Sequence, residues 1–211
     1  MENLRGMTSS VEGGFDDMKR FGKMYVLDWA TVAVVGVLYG LIEYKAPFHR
    51  MFRLDDPSIQ FPMAENETVS SPFCIVLAYA LPAVLVCVLP IVLGHQRNRM
   101  QLVHVSFLGL TLAFVLNGFF INCLKMWLGR PRPDFLARCI PSKEAAKDIL
   151  VGIEICTNPN MDVINEGLKS TPSGHSGTSF SGLGYFSLWL AGQLFAFRPA
   201  TGIYRAVVAL M

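Results

Sequence analysis

Lys125-Met-Trp-Leu-Gly-Arg-Pro-Arg132-Pro133 and Ser170-Thr-Pro-Ser173-Gly174-His175-Ser176 stand at the edges of two long apolar runs. The first stretch closes the run Leu102–Leu124, and the second opens a run from about Gly177 to Phe197. If the two runs are neighbouring membrane helices, both stretches reach the same side of the bilayer. Three cations, Lys125, Arg130 and Arg132, then face a helix N-terminus carrying a hydroxyl, a glycine and a histidine. That set is suited to holding a phosphoryl group.

The chemistry of each stretch supports this. A cation at the end of a helix complements the negative end of its dipole, which places Lys125. Pro131 and Pro133 hold Arg130 and Arg132 in extended conformations, so the prolines are expected to end the helix. An Arg offers a planar fork matched to phosphate oxygens, and a Lys offers a mobile point charge. Cations at a helix end also snorkel to lipid headgroups, which is the plain structural alternative. In the second stretch Thr171 and Ser173 can cap the following helix, and its free N–H groups near Gly174 point at any anion placed there. Gly174 has no side chain to keep an oxyanion off the backbone. His175 can exchange a proton near neutral pH. The alternative for this stretch is a capped helix that merely contains a histidine.

Composition sets the surroundings. The chain has 211 residues, of which 52% are hydrophobic and 16% charged, and its mean hydropathy is +0.41. Soluble domains usually carry about 25% charged residues, so this chain reads as a membrane protein. The net charge of +2 forms no basic stripe, so no nucleic-acid partner is expected. Residues 1–23 contain Arg5, Lys19, Arg20 and Lys23 but no apolar core, and are expected to be a cytosolic segment rather than a cleaved signal peptide. Residues 24–211 are the membrane domain.

Further runs are Met24–Tyr44, with Asp28 and Glu43 near its ends, and Pro72–Leu93, with Pro82 and Pro90 inside it. Each is near the roughly 20 residues that cross a bilayer core. A last apolar run starts at Ala206. With the N-terminus in the cytosol, Lys45–Ser71 and Lys125–Pro172 lie outside, and Gly94–Gln101 lies inside. Arg97 and Arg99 in that short inner loop agree with the positive-inside rule. The outer segments nevertheless hold more Lys and Arg than the inner ones, an excess attributed to the work of the Lys125–Arg138 cluster. Lys45–Ser71 reads as irregular loop and contains Asn66-Glu-Thr68, a glycosylation triplet that matters only in an extracytosolic loop. Cys139 and Cys156 share the other outer loop and could form a disulfide closing it, if it faces an oxidising compartment. Cys74, Cys87 and Cys123 lie in apolar runs as small hydrophobes. His49, His95 and His104 have structural or headgroup-facing roles as their default. None is spaced with Cys, Asp or Glu as a metal set, so no metal or other cofactor is expected.

At these residues the chain resembles the type 2 phosphatidic acid phosphatase superfamily, the lipid phosphate phosphatases. The family's Lys-x6-Arg-Pro signature matches Lys125, Arg132 and Pro133, and its Pro-Ser-Gly-His signature matches Pro172, Ser173, Gly174 and His175. Within the family it is most similar to fungal diacylglycerol pyrophosphate and phosphatidate phosphatases. The resemblance implies an all-α, polytopic transmembrane bundle of the phosphatidic acid phosphatase and haloperoxidase type. It also implies a magnesium-independent, two-step displacement on a lipid phosphate. Lys125 and Arg132, with Arg130 beside them, would grip the phosphoryl oxygens. Ser173 and the Gly174 N–H would complete the oxyanion cradle, and His175 would be the general acid. The family's third motif, Ser-Arg-x5-His-x3-Asp, supplies a nucleophilic histidine oriented by an aspartate. No His or Asp follows His175 here. The expectation is therefore a bundle truncated after about four and a half helices, holding half a site that binds phosphate weakly without turnover. A non-catalytic membrane protein that keeps a phosphate cradle is the alternative. A transporter or channel fragment would need paired polar groups at mid-membrane depth, which Asn117 alone does not meet. Oligomeric state is left open.

Overall fold

The computed structural model describes residues 2–64, 67–93, 99–146, 148–198 and 202–210, with side chains from Lys23 onward, those of Leu93 and Leu210 excepted. Among them the chain is helical, and its only β-type pairings are isolated bridges of Phe52 with Val151 and of Pro141 with Cys156. Helix α1 (Glu2–Glu43) continues unbroken from the polar N-terminal segment into the first apolar run. Next come α2 (Ser71–Ile75), a π-helical turn (Val76–Ala80) and α3 (Leu81–Leu93), which follow one another as one rod. Helix α4 (Arg99–Leu128) is the centre of the bundle, with α1, α3 and α7 (Gly174–Gln193) packed on it. Helix α8 (Ile203–Leu210) lies against α7.

Among the described residues three segments are long and apolar enough to cross a membrane: Lys23–Glu43, Ser71–Val92 and Arg99–Leu128. Their outward faces expose Leu27, Val37, Val84 and Val92, as lipid contact requires. The fourth expected run begins three residues earlier than its apolar part, at Gly174, because Ser173 caps it. Glycine and serine dilute its hydropathy, and their small size is what lets it pack closely. Pro82 has no N–H to give the Ala78 carbonyl four residues before it, so the α-helical ladder loosens into the π turn there. Gly182 of α7 sits on that same carbonyl, where a Cβ would overlap the Ala78 oxygen. Farther along, the Tyr185 hydroxyl donates to the Ser106 carbonyl at 2.9 Å and the Trp189 indole donates to the Ser106 hydroxyl at 2.7 Å. Both polar rings thereby find partners inside the α4–α7 seam.

The loop after α1 and the loop between α4 and α7 fold together into a cap with its own core. Phe52, Ile59, Phe135, Cys139, Val151, Ile164 and Leu168 are buried in one cluster. Phe52 meets Phe135 edge-to-face at 4.8 Å between ring centres. Two short helices, α5 (Phe135–Cys139) and α6 (Met161–Gly167), belong to this cap and pack on each other. A Cys139–Cys156 disulfide closes it.

Candidate active site

Helix α4 carries Asn117, Ile121 and Lys125 at four-residue steps, which aligns them along one face. Lys125 lies in its last turn. The prolines do not end this helix. Gly129 does, at φ +52, a left-handed C-cap whose N–H returns to the Lys125 carbonyl at 3.1 Å. The adjacent Phe48 carbonyl stands where a Cβ on Gly129 would be, so glycine is required twice over. Pro131 and Pro133 act afterwards, keeping the chain extended.

That extended piece joins the two signature stretches through the backbone. The Arg132 N–H donates to the Gly167 carbonyl at 2.7 Å, and the Ser170 N–H donates to the Arg130 carbonyl at 3.1 Å. Two residues after Pro172, α7 begins. The Ser173 hydroxyl caps it, accepting from the Ser176 N–H at 3.3 Å. Lys125 reaches this helix start: a Cβ on Gly174 would lie 3.2 Å from its Nζ. Lys125, Arg132, Ser173, Gly174 and His175 all line one cavity of about 740 Å³, at the end of the bundle beneath the cap. Arg130 does not. Its side chain is exposed and only its carbonyl takes part, in the bond from Ser170. His175 donates from Nε2 to the Val69 carbonyl at 2.9 Å, which fixes the tautomer that carries a proton on that nitrogen.

Four further residues of the cavity belong to its electrostatics. Lys169 is only 8% exposed. Its Nζ lies 2.8 Å from Glu166 Oε1 and 3.6 Å from Glu43 Oε1. The other Glu166 oxygen meets Arg132 Nη2 at 3.3 Å. Asn122, buried on α4, donates to Glu43. The i,i+3 spacing of Glu166 and Lys169, and the polar Asn122 one turn before Lys125, were the available signals. What pairs them with Glu43 is tertiary.

Burial alone would raise the Glu166 carboxyl pKa. The hydrogen bond from Lys169 and the charges of Lys169, Arg132 and Lys125 outweigh burial and hold it below the usual value. A depressed carboxyl contributes stability that is complete above its ordinary, unfolded-state pKa and is lost as pH falls through the folded-state value. The cap is therefore expected to lose stability on acidification below the ordinary glutamate range. A Glu166→Gln variant should show a smaller acid-induced drop in its unfolding midpoint across that window.

The remaining sequence expectations fall as follows. Asn66 and His95 lie outside the described residues. His49 Nε2 pairs with Asn165 Oδ1 at 3.2 Å. His104 accepts from the Trp29 indole at 3.3 Å and packs on Tyr25. Among the described residues no three His, Cys, Asp or Glu side chains gather as a metal site would require.

Residues 106–211 match the PAP2 superfamily. The chain is 37% identical over 171 residues to the Saccharomyces cerevisiae "Diacylglycerol pyrophosphate phosphatase 1", covering 81% of this chain and 59% of that one. It is 36% identical to the "Probable diacylglycerol pyrophosphate phosphatase 1" of Schizosaccharomyces pombe, covering 92% and 68% respectively. It is 33% identical to the Arabidopsis thaliana "Lipid phosphate phosphatase 2", covering 90% and 63%. The chain thus spans about three-fifths to two-thirds of the length of these relatives. No solved structure matches it significantly.

Proposed function

Because the chain belongs to the PAP2 superfamily, we propose that the cavity beneath its cap is a lipid phosphate phosphatase site for phosphatidate, diacylglycerol pyrophosphate or a related membrane lipid phosphate. The observation that carries this reading is the meeting of Lys125, Arg132, Ser173, Gly174 and His175 on one cavity, with Lys125 against the start of α7. The depth agrees with it, since the site lies at the ends of spanning helices, where a headgroup phosphate already resides.

Lys125 and Arg132 hold the non-bridging oxygens. The free N–H groups at the start of α7 and the Ser173 hydroxyl face the charge that grows on the phosphoryl group, each well-placed donor contributing a few kcal/mol to the transition state. His175 holds its Nε2 proton on the Val69 carbonyl until a leaving alkoxide can take it. No magnesium is needed in this arrangement, because side-chain cations neutralise the anion. We place the cap on the luminal or extracytosolic face, and the Cys139–Cys156 bond supports that side. The nucleophilic histidine implied by the family has no counterpart within these residues. These 211 residues on their own are therefore expected to bind the anion without hydrolysing it.

One experiment tests this reading. Purified chain in mixed micelles with phosphatidate or diacylglycerol pyrophosphate should release no phosphate, yet bind inorganic phosphate by calorimetry. Phosphate release would overturn the loss of turnover, and release that persists in His175→Ala would remove that residue's role. Absence of phosphate binding would overturn the cradle itself.

A further inference from the structure

The cations of the cavity are not independent of one another. From Asn122 on α4 the contacts run to Glu43 at the end of α1. They continue to the buried Lys169 at 3.6 Å, to Glu166 at 2.8 Å, and to the Arg132 guanidinium at 3.3 Å. Charges alternate along this line, and all five residues line the cavity. Neither carboxylate is suited to contact a phosphoryl group, which would repel it. Each is placed to hold a cation instead. Glu166 occupies one nitrogen of the Arg132 fork, Nη2.

We propose that Glu166 and Glu43 are positioning residues: Glu166 acts directly, and Glu43 through buried Lys169, to fix the Arg132 guanidinium for the phosphoryl anion and to tie α1 to the cap above the site. The proposal rests on the phosphate reading given above and adds two residues to it. Its logic is electrostatic competition. With Glu43 neutral, Lys169 has only Glu166 to balance it, and draws that carboxylate away from Arg132. With Glu166 neutral, Arg132 loses its anchor outright and recovers the rotamer freedom of a long side chain.

The sign of the effect decides the matter. Removing a negative charge near an anion site strengthens anion binding if charge alone counts. Positioning gives the opposite result. Inorganic phosphate binding to the purified 211-residue chain would be measured by calorimetry in detergent, with thermal midpoints taken in phosphate-free buffer. Glu166→Gln is expected to weaken binding about tenfold, and Glu43→Gln, which reaches Arg132 only through Lys169, by a smaller factor in the same direction. Glu166→Asp, which keeps the charge, should recover part of the loss. Glu144→Gln, the same charge lost from an exposed cap residue, should change little. Unchanged or tighter binding in Glu166→Gln and Glu43→Gln overturns the proposal, as does Glu166→Asp behaving like Glu166→Gln. If Glu166→Gln does not fold, Glu43→Gln on the membrane helix decides alone. Wild-type chain that binds no phosphate overturns the underlying reading as well, whereas normal binding in the variants overturns only the positioning role.

Discussion

Replacing Lys125 or Arg132 by alanine is expected to lower the affinity for inorganic phosphate about a hundredfold, as read by calorimetry or by competition against a bound oxyanion. Each side chain offers charge-assisted hydrogen bonds to the phosphoryl oxygens, and such bonds are worth about 1.5–3 kcal/mol apiece. One such bond near the upper end of that range supplies the ~2.7 kcal/mol that a hundredfold change represents. The Arg132 variant carries a second penalty, since Glu166 is left with a free oxygen facing the incoming anion. Arg132→Lys should fall between wild type and alanine, keeping the charge but losing the fork. Because both cations share one ligand, the double variant should cost less than the sum of the two. Arg130→Ala tests the geometry from the other direction. Its side chain lies outside the cavity lining, so its effect should stay within about twofold, the scale of a screened surface charge. An Arg130 effect as large as that of Arg132 would mean that the cations are arranged differently when the anion is bound.

Loss of the Cys139–Cys156 bond is expected to destabilise the cap by about 2–4 kcal/mol. The two cysteines are 17 residues apart, a loop length for which cross-linking removes about 3 kcal/mol of unfolded-chain entropy. The cap has little else to rely on. Its core is the single cluster around Phe52, Phe135 and Leu168, and Cys139 itself is fully buried within it. The consequence reaches the site, because Gly167, next to Leu168, accepts the backbone hydrogen bond that holds Arg132. Paired Cys139→Ser and Cys156→Ser substitutions should lower the thermal midpoint in detergent, and a reducing agent should lower that of the wild type equally while leaving the variant unmoved. Phosphate affinity should fall in parallel as the cap loosens. A midpoint insensitive to reduction would show that the cap core holds without the bond.

The spanning helices were readable because hydropathy over some twenty residues is a property of the chain alone. Met24–Tyr44 became the apolar part of α1, which starts far earlier, at Glu2, and Leu102–Leu124 became α4 with its ends displaced by only a few residues, while the run Gly177–Phe197 falls in a helix that starts at its serine cap and stops at Gln193. The stop of α4 was read from the wrong residues. Pro131 and Pro133 are conspicuous, but Gly129 in its left-handed cap ends the helix before either proline is reached. Beyond the Cys139–Cys156 bond, pairing in the cap was not readable. Phe52 with Val151, or Gly167 with Arg132, joins residues whose separation in the chain carries no periodic signal. Arg130 shows the same limit at finer scale. Composition made it equivalent to Arg132, yet Arg130 is exposed and only Arg132 lines the cavity.

The order of residues by itself determined that this is a helical membrane protein and that two cation- and hydroxyl-bearing stretches reach one face of the bilayer. Apolar length and helix-end chemistry are local, and each needs only its own segment. Tertiary structure alone decided which charges share the cavity: that Arg130 is left out, and that Glu43, Glu166 and Lys169 are brought in. A buried cation must find its counter-charge in three dimensions, and here it finds one on α6 and another on α1, 126 positions away in the chain.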